Sequence, residues 1–362
     1  MFDPVQRALQ PAYLDPTTSS RTPSSPPATD RSIEHSARPM PYAAFLKDLT
    51  GLGLEDAIQR IERSTIADVE RVVASGRVAT LDDLAALVSP AAHPLLETIA
   101  QEAHRRSLQR HGRVVVLYAP LYLSNFCVNH CIYCGFKAGI KKIRRHTLSL
   151  QEIDQEAARL RELGFRHVLL VSGEEHNEVP VDYMCEAIRI CRRHVDSVSI
   201  EFESLPFDAY KSLVAAGCDG MALYQETYHP ATYKWAHPGK GPKSDYANRI
   251  DAPDRAARAG MRSLGIGALL GLADWRFDVF ALWMHARYLM RHNWQTRVSI
   301  SFPRLRDETG GFRSKIPVHD RQFVQIFLAL RLALPDRRRT AVCDRRREAC
   351  RRGCGNDRRT RV

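Results

Sequence analysis

The sequence contains no apolar run of the roughly 20 residues that a membrane-spanning helix needs. Its opening residues, MFDPVQRALQPAYLDP, lack the basic segment followed by an apolar segment that marks a secretory signal. These absences predict a cytoplasmic protein with no membrane partner, in a compartment where thiols stay reduced. Disulfides are therefore not expected among its nine cysteines, and any cysteines that cluster indicate metal binding or catalysis.

The net charge of +12 is unevenly distributed along the chain. Residues 335–362 contain eleven Arg against three Asp and one Glu, which gives +7 and leaves +5 for the other 334 residues. This tail has no hydrophobic periodicity, so its charge says little about what the rest of the chain binds. We expect no nucleic-acid partner. The composition, 44% hydrophobic and 26% charged, is typical of a globular enzyme that can bury a sizeable core.

The chain divides by composition into four segments. Residues 1–40, rich in Pro, Ser and Thr around 15–32, predict a disordered N-terminal extension. Residues 41–111 show apolar residues at helical spacing and predict a helical lead-in. Residues 112–335 form the predicted core, and residues 336–362 form an Arg-rich tail.

Within the core, short apolar runs alternate with amphipathic helical stretches. Nearly continuous apolar strands that alternate with helices indicate an α/β fold with a parallel sheet covered by helices. Six such units without a long linker favour a (β/α) barrel over a doubly wound sheet. In a barrel the loops after the strands form the active face. The predicted strands are 113–123, 167–173, 197–203, 220–226, 262–271 and 297–304.

Three cysteines follow the first predicted strand, in the sequence NFCVNHCIYCGF. Cys127, Cys131 and Cys134 have the spacing C-x3-C-x2-C. A zinc site would need a fourth ligand, which His130 could supply, but the core has no second pair of closely spaced ligands. Three thiolates without a fourth suit a [4Fe–4S] cluster with one iron open to a ligand. Zinc and unliganded core cysteines are the less favoured alternatives.

This cysteine spacing, with an aromatic residue before the third cysteine, resembles that of the radical S-adenosylmethionine (SAM) superfamily. Longer segments resemble the 2-iminoacetate synthase family, which cleaves tyrosine to supply part of the thiazole ring of thiamine. They are PLYLSN, YCGF, VSGEEH, YQETYHPATY, GPKSDYANRIDAPDRAARAG, LGIGALLGLADWR, VSISFPRLR and GGF, and the match covers roughly residues 45–335.

The resemblance implies a radical SAM barrel, a [4Fe–4S] cluster and SAM as the cofactors, and L-tyrosine as the substrate. In this family one electron from a reduced flavodoxin or ferredoxin-type donor cleaves SAM, and the resulting radical leads to cleavage of the tyrosine Cα–Cβ bond. The products are 2-iminoacetate and p-cresol, with 5′-deoxyadenosine and methionine from SAM. The family also implies the thiazole synthase subunit as a partner.

The resemblance also implies roles for individual residues. The three cysteines would bind the cluster, Tyr133 and Phe136 would lie against adenine, and Gly173 with Glu174 would receive the methionine amino group. Glu201 would bind the ribose, although the family's Gln-Pro is replaced just after it by Glu203 and Ser204. The residues expected at the tyrosine are Tyr224, Gln225 and Glu226 at the end of the fourth strand and Arg304 at the end of the sixth. Arg304 is the expected carboxylate ligand, and Arg306 is the weaker candidate.

The resemblance stops after LRLALPD, where an Arg-rich string replaces two further strands of the family. The sequence therefore predicts an incomplete barrel with six recognisable strands, as after a reading-frame change, and impaired turnover. Cys343, Cys350 and Cys354 in this string do not match the second cluster motif of the related hydrogenase-maturation lyase. Alternatives are another radical SAM enzyme, such as that lyase or a biotin-synthase-like sulfur inserter, and a non-catalytic scaffold or nucleic-acid binder.

Overall fold

A computed structural model describes residues 44–305 and 312–334 together with the short strand 341–343. The predicted N-terminal extension, Arg306, Cys350 and Cys354 lie outside the described residues. No helix in the described part of the chain is long and apolar enough to cross a membrane.

Parallel strands in sequential order form the sheet, which confirms the predicted α/β architecture. To the six predicted strands the structure adds a short seventh, which pairs with residues 299–301 of the sixth. Among the described residues, the first and seventh strands are not paired with each other. The strands are β1 (Ala119–Ser124), β2 (His167–Ser172), β3 (Ser197–Glu201), β4 (Gly220–Glu226), β5 (Ser263–Ala268), β6 (Arg297–Ser301) and β7 (Ala341–Cys343).

Helices precede and separate the strands. The helices before β1 are α1 (Ala44–Leu49), α2 (Leu54–Arg63), α3 (Ile66–Ser75), α4 (Leu81–Val88) and α5 (Leu96–His111), with a 3-10 turn at Pro90–Leu95. The helices between the strands are α6 (Leu150–Glu162), α7 (Val181–His194), α8 (Phe207–Ala215), α9 (Pro230–Ala236), α10 (Tyr246–Arg258), α11 (Trp275–His292) and α12 (Asp320–Ala333), with a 3-10 turn at Pro242–Ser244.

Local sequence explains where several helices begin and end. Ser149 caps α6 by accepting a bond from the Glu152 backbone N–H, and the Glu152 side chain bonds back to the Ser149 N–H, as the sequence predicts. The chain leaves α6 through Gly164, whose φ of 88° is accessible to glycine at little cost. By sequence, Asp251 and Pro253 predict the start of the helix before β5. Helix α10 instead begins at Tyr246, capped by Asp245, and carries Pro253 inside it.

The first strand is shorter than its apolar run suggests. Residues Val114, Val115 and Val116 precede it with 73%, 70% and 53% of their surface exposed. Pairing with β2 begins only at Ala119, opposite Val168, because β2 itself begins at His167. Val114, Val115 and Val116 therefore lie outside the pairing of β1 with β2, and apolar character alone does not make them a strand.

The two faces of each strand have different environments. Val198, Ile200, Leu264, Ile266 and Ile300 are fully buried in the apolar core. Residues of the opposite parity are partly exposed, as expected for the inner face of a sheet that curves around an open lumen. The site is therefore built where this inner face meets the carboxyl ends of the strands.

Candidate functional site

The three clustered cysteines lie on one loop after β1. Cys131 is buried, and Cys127 and Cys134 are partly exposed. The loop is tightened by backbone bonds, with the Cys134 N–H donating to the Cys131 carbonyl at 3.1 Å, and the Phe136 N–H donating to the Cys134 sulfur at 3.4 Å. Three free thiols on one short loop can act together as thiolate ligands.

Burial works against ionisation of these thiols. It raises the pKa of Cys131 to about 12 and also raises that of Cys134. Among the described residues no three His, Cys, Asp or Glu side chains converge as for a single metal ion. A four-iron cluster is much wider than one ion and takes thiolates that stand apart, so the donor set fits a cluster.

The loop after β2 packs directly on the cysteine loop. The Gly173 N–H donates to the Ser124 carbonyl at 3.0 Å, and the Val128 N–H donates to the Glu174 carbonyl at 3.1 Å. A Cβ atom at position 173 would overlap the Phe126 carbonyl and lie 3.2 Å from the Cys127 Cβ. Glycine is therefore required for this close approach, and it places Glu174 beside the cysteines.

Glu174 is the first member of a buried polar network. Its carboxylate accepts bonds from Asn129 Nδ2 at 2.9 Å and from Arg249 Nη1 at 3.0 Å. Asn129 lies between two of the cysteines, and its Oδ1 accepts from the Lys243 backbone N–H at 3.1 Å. Arg249 on α10 also donates from Nε to the Tyr224 carbonyl at 2.8 Å. The network joins the cysteine loop, β4 and α10.

Glu226 and Lys243 extend this network. Lys243 Nζ lies 2.7 Å from Glu226 Oε1, and Arg249 Nη2 lies 3.9 Å from the same oxygen. Burial acts to raise the pKa of Glu226, but the charges of Lys243 and Arg249 outweigh it and hold the pKa below its ordinary value. Burial likewise acts to lower the pKa of Arg249, and Glu174 outweighs it. Two carboxylates and two cations thus lie together in one largely buried group.

Tyr133 bounds this network on the side of the cysteines. Its hydroxyl lies 2.8 Å from His237 Nε2, and Lys243 Nζ lies 5.8 Å from the centre of its ring. His237 Nδ1 bonds the Tyr233 carbonyl at 2.8 Å. Burial, with the nearby Lys243 charge, lowers the pKa of His237 to about 3, so this ring is neutral and anchors Tyr133 rather than moving a proton at neutral pH.

The other predicted site residues are not all brought to this network. Tyr224 and Glu226 share one face of β4, whereas Gln225 is buried on the opposite face with Nε2 3.5 Å from the Tyr246 carbonyl. Glu201 ends β3 and pairs in register with Val171. Phe136 lies on the cysteine loop with 47% of its surface exposed.

Arg304 contacts α12. Its Nη1 donates to Asp320 Oδ1 at 2.5 Å and to the Val318 carbonyl at 3.3 Å, and the guanidinium stacks 4.6 Å from the Phe323 ring. The Nε and Nη2 edge has no hydrogen-bond partner among the described residues. The Nη1 side of the guanidinium is therefore bound to the protein, and the Nε and Nη2 donors remain for a further ligand.

The inner face of β4 to β6 is lined by small residues. Gly265 packs against Ala222 and Ser299, and a Cβ atom at Gly267 would overlap the Tyr224 ring. Ser301 is 4% exposed, and its hydroxyl has no partner within the described part of the chain. Small side chains leave room beside Tyr224, and a buried free hydroxyl offers a hydrogen bond to whatever occupies that room.

The sequence did not single out Asn129, Lys243 and Arg249. Asn129 lies inside the cysteine motif and the other two lie in a segment that resembles the family, but their partners in the network are 17 to 114 residues away in sequence. The sequence feature that could have identified a site residue is a charged residue on a helix face that is otherwise apolar. Arg249 is such a residue, and it is 4% exposed on α10. Because a buried arginine requires a paired carboxylate, its position predicts an ion pair with a distant acidic residue.

The network is complementary to an amino acid group. Glu174 retains lone pairs for an ammonium, since a carboxylate can accept about four bonds and two are used here. Arg249 and Lys243 are the buried cations that could face a carboxylate. These charged groups, beside three thiols that could hold a cluster, complement the two charges of a zwitterion.

Comparison with known proteins identifies the family of the chain. Residues 121–284 match the model of the radical SAM superfamily. The 2-iminoacetate synthase of Escherichia coli (strain K12) is 44% identical over 286 residues, covering 79% of this chain and 75% of that protein. The 2-iminoacetate synthase of Salmonella typhimurium is 44% identical over 283 residues, covering 78% of this chain and 74% of that protein.

A solved structure of HydG, a maturase of the [FeFe]-hydrogenase, is also similar. It has a TM-score of 0.74 and 28% identity, and the match covers 81% of this chain and 66% of that protein. The sheet order, the cysteine loop and the relatives therefore point the same way. The chain belongs to the 2-iminoacetate synthase family, carbon–carbon lyases of the radical SAM superfamily that use a [4Fe–4S] cluster and SAM.

Proposed function

We propose that this chain cleaves the Cα–Cβ bond of L-tyrosine to give 2-iminoacetate and p-cresol, with 5′-deoxyadenosine and methionine from SAM. The observation that carries the proposal is the buried ion pair, 3.0 Å apart, between Arg249 on α10 and Glu174 on the loop that packs against the three cysteines. The 44% identity to 2-iminoacetate synthases supports the same reaction.

Cys127, Cys131 and Cys134 would hold the cluster in this proposal. When bound, the cluster and SAM supply the one-electron chemistry that starts the reaction. The Cys131 thiol, which burial keeps protonated, must give up its proton when iron binds. Tyr133, fixed by neutral His237, and Phe136 on the same loop would bound the adenine.

Glu174 and Arg249 would position the amino acid part of SAM. The Glu174 carboxylate would accept from the ammonium, and Arg249 with Lys243 would bind the carboxylate. The three side chains are pre-oriented by Asn129 and Glu226, so little side-chain entropy is lost on binding. Glu201 would bind the ribose from the end of β3.

The tyrosine substrate would occupy the space over the small residues of β4 to β6. Tyr224 and Glu226 border this space, and Gln225, on the far face of β4, would act by supporting the strand end against α10. Arg304 would bind the tyrosine carboxylate through its Nε and Nη2 edge while Asp320 holds its Nη1.

The biological setting of the proposal follows the resemblance. We infer a cytoplasmic enzyme that supplies 2-iminoacetate for the thiazole of thiamine, together with a thiazole synthase subunit. A reduced flavodoxin or ferredoxin-type protein would provide the electron.

The test is anaerobic cluster reconstitution of the full chain, followed by incubation with tyrosine, SAM and reductant. Formation of p-cresol and 5′-deoxyadenosine supports the function, and their absence from a protein with full iron content contradicts it. Glu174→Ala should keep the iron but weaken SAM binding, because it removes charge-assisted bonds worth roughly 1.5–3 kcal/mol. Unaltered SAM affinity in that variant would contradict the role of Glu174.

The tyrosine site has its own test. Arg304→Lys keeps the charge but loses the fork, so KM for tyrosine should rise while SAM affinity is unchanged. Arg297→Lys, at the exposed start of β6, the strand that leads to Arg304, is the matched control and should behave as wild type. An unchanged KM in Arg304→Lys would move the carboxylate-binding role to another residue, with Arg306 the next candidate.

A further inference from the structure

A strained residue lies at the centre of the proposed cofactor site. Glu226 has φ of 69° and is the one non-glycine residue with positive φ in the described ranges. It follows a register shift between β4 and β5, where Tyr224 and Glu226 pair with consecutive residues. A side chain with this conformation costs energy and persists only where its surroundings hold it.

The surroundings that hold Glu226 come from α11. Asp278, in the first turn of this helix, accepts bonds through one oxygen from the Thr227 hydroxyl at 3.0 Å and the Tyr228 N–H at 2.7 Å. All three residues are fully buried. The two residues that directly follow Glu226 are thus bound to one side-chain oxygen.

Tyr228 is held at two further points. Its hydroxyl lies 2.9 Å from Nδ1 of His285, seven residues after Asp278 on α11, and its carbonyl accepts from the Tyr246 hydroxyl at 2.6 Å. His285 is itself stacked on Phe45, with ring centres 4.4 Å apart. Helix α11 therefore holds Tyr228, two positions after Glu226, through both its backbone N–H and its hydroxyl.

The second carboxylate oxygen of Asp278 takes no part in these bonds. Oδ2 has no hydrogen-bond partner among the described residues, and burial raises the pKa of this carboxyl to about 7. An aspartate whose only bonds run to residues 227 and 228 contributes one acceptor atom. A neutral amide with the same geometry would supply that atom equally well.

We propose that Asp278 is a positioning residue for the cofactor site. By binding Thr227 and Tyr228 it fixes Glu226 in its left-handed conformation. Glu226 in turn holds the side chains of Lys243 and Arg249 in place through its ion pairs with them. This rests on the proposed function, in which that cation pair faces the SAM carboxylate. Asp278 itself touches neither cofactor nor substrate in this scheme.

The test is a double-mutant cycle on the reconstituted full chain, with SAM affinity as the measurement. Asp278→Ala should weaken SAM binding by about tenfold with iron content unchanged, and in a Glu226→Gln background the same change should cost less than about threefold. Asp278→Asn keeps the acceptor and should retain affinity within about threefold of wild type. Equal losses in both backgrounds, or loss in Asp278→Asn as large as in Asp278→Ala, would overturn the proposal.

Amide hydrogen exchange of the cofactor-free protein gives a readout that does not depend on SAM. Asp278→Ala should speed exchange at residues 226–229 more than in the rest of the sheet, whereas Gln325→Ala, which removes an equally buried polar group from α12, should not act selectively on these residues. If Asp278→Ala fails to fold, Thr227→Val removes one of the two bonds and should shift both readouts in the same direction. Failure of wild type to bind SAM would contradict the proposed function, whereas unchanged exchange at 226–229 would contradict the role of Asp278.

Discussion

At the scale of single residues, three thiols with identical chemistry differ from the remaining cysteines only in their placement. Cys185, Cys191 and Cys218 are buried singly in or beside helices, and burial raises the pKa of each. Such thiols behave as small apolar groups. Sequence spacing separates the two kinds because a cluster needs its thiolates on one loop.

We therefore predict that Cys127→Ala, Cys131→Ala and Cys134→Ala each abolish [4Fe–4S] binding, since two thiolates do not hold a cubane with an open iron. Iron content and the visible absorption of the reconstituted protein measure this. The matched control is the triple change of Cys343, Cys350 and Cys354 to Ala, which should keep full iron. Loss of iron in that control would show that the tail takes part.

Glu203 is the residue at which pH should change stability. It is 7% exposed after β3, and burial, with the nearby charges of Glu174 and Glu175, raises its pKa to about 7. The folded state then binds a proton that the unfolded state, with an ordinary carboxyl, has already lost. Stability should accordingly fall as pH rises from about 4.5 to 7 and should level off above that.

Glu203→Gln should remove this loss and stabilise the protein at pH 8 relative to wild type by up to roughly 3 kcal/mol, with little difference at pH 4.5. Denaturant unfolding at several pH values measures the change. Glu70→Gln, on an exposed position of α3, should leave the pH slope unaltered. A Glu203→Gln variant with the wild-type slope would show that the carboxyl ionises normally.

At the scale of elements, short sequence motifs predicted those helix ends that are fixed by bonds between residues close in sequence. The Ser149–Glu152 capping box and Gly164 fix both ends of α6, and all the bonds involved lie within four residues. The start of α10 could not be predicted in this way, because Pro253 resembles a first-turn proline. Its missing N–H removes one bond to the Arg249 carbonyl, and the helix nevertheless continues because Asp245 caps it and five residues of α10 are buried.

A helix-cap prediction tests this level directly. Ser149→Ala should lower the free energy of unfolding by about 1 kcal/mol, because the Glu152 N–H loses its acceptor. Ser107→Ala is the matched control within α5: its hydroxyl bonds the Ala103 carbonyl, and alanine is the better helix former, so stability should change by less than about 0.5 kcal/mol. Equal effects at both positions would argue against a capping role for Ser149.

At the scale of the whole molecule, the site draws on segments that the sequence does not bring together. The cysteine loop, the loop after β2, the end of β4 and α10 meet in the network of Glu174, Asn129, Lys243, Glu226 and Arg249. The segments that resemble the family predicted the three cysteines and Glu174 as site residues, because each lies in a short motif. The cations could be assigned only once the parallel strand order had set the neighbours, since the pairing depends on separations of up to 114 residues.

The helices before β1 belong to the same folded body as the barrel, and Gln325 is one of the residues that join them. This side chain on α12 is 3% exposed, and its Nε2 donates to the Leu87 carbonyl at 3.0 Å and the Ser89 carbonyl at 2.7 Å, at the end of α4. Removing the donor leaves the Leu87 carbonyl without this partner, whereas the Ser89 carbonyl keeps its bond from the Ala92 N–H at 3.2 Å.

Gln325→Ala should therefore lower the free energy of unfolding by about 1–4 kcal/mol, because the unpaired Leu87 carbonyl costs roughly 1–3 kcal/mol and a small cavity adds to the loss. The transition should stay a single cooperative step, with α5 and the barrel unfolding together, and SAM affinity of the reconstituted protein should be unchanged. Gln101→Ala, at an exposed position of α5 where the side chain bonds only Glu97, is the control and should change stability little. Two separate unfolding steps in Gln325→Ala would mean that the helical lead-in and the barrel are independently stable units, contrary to the packing described above.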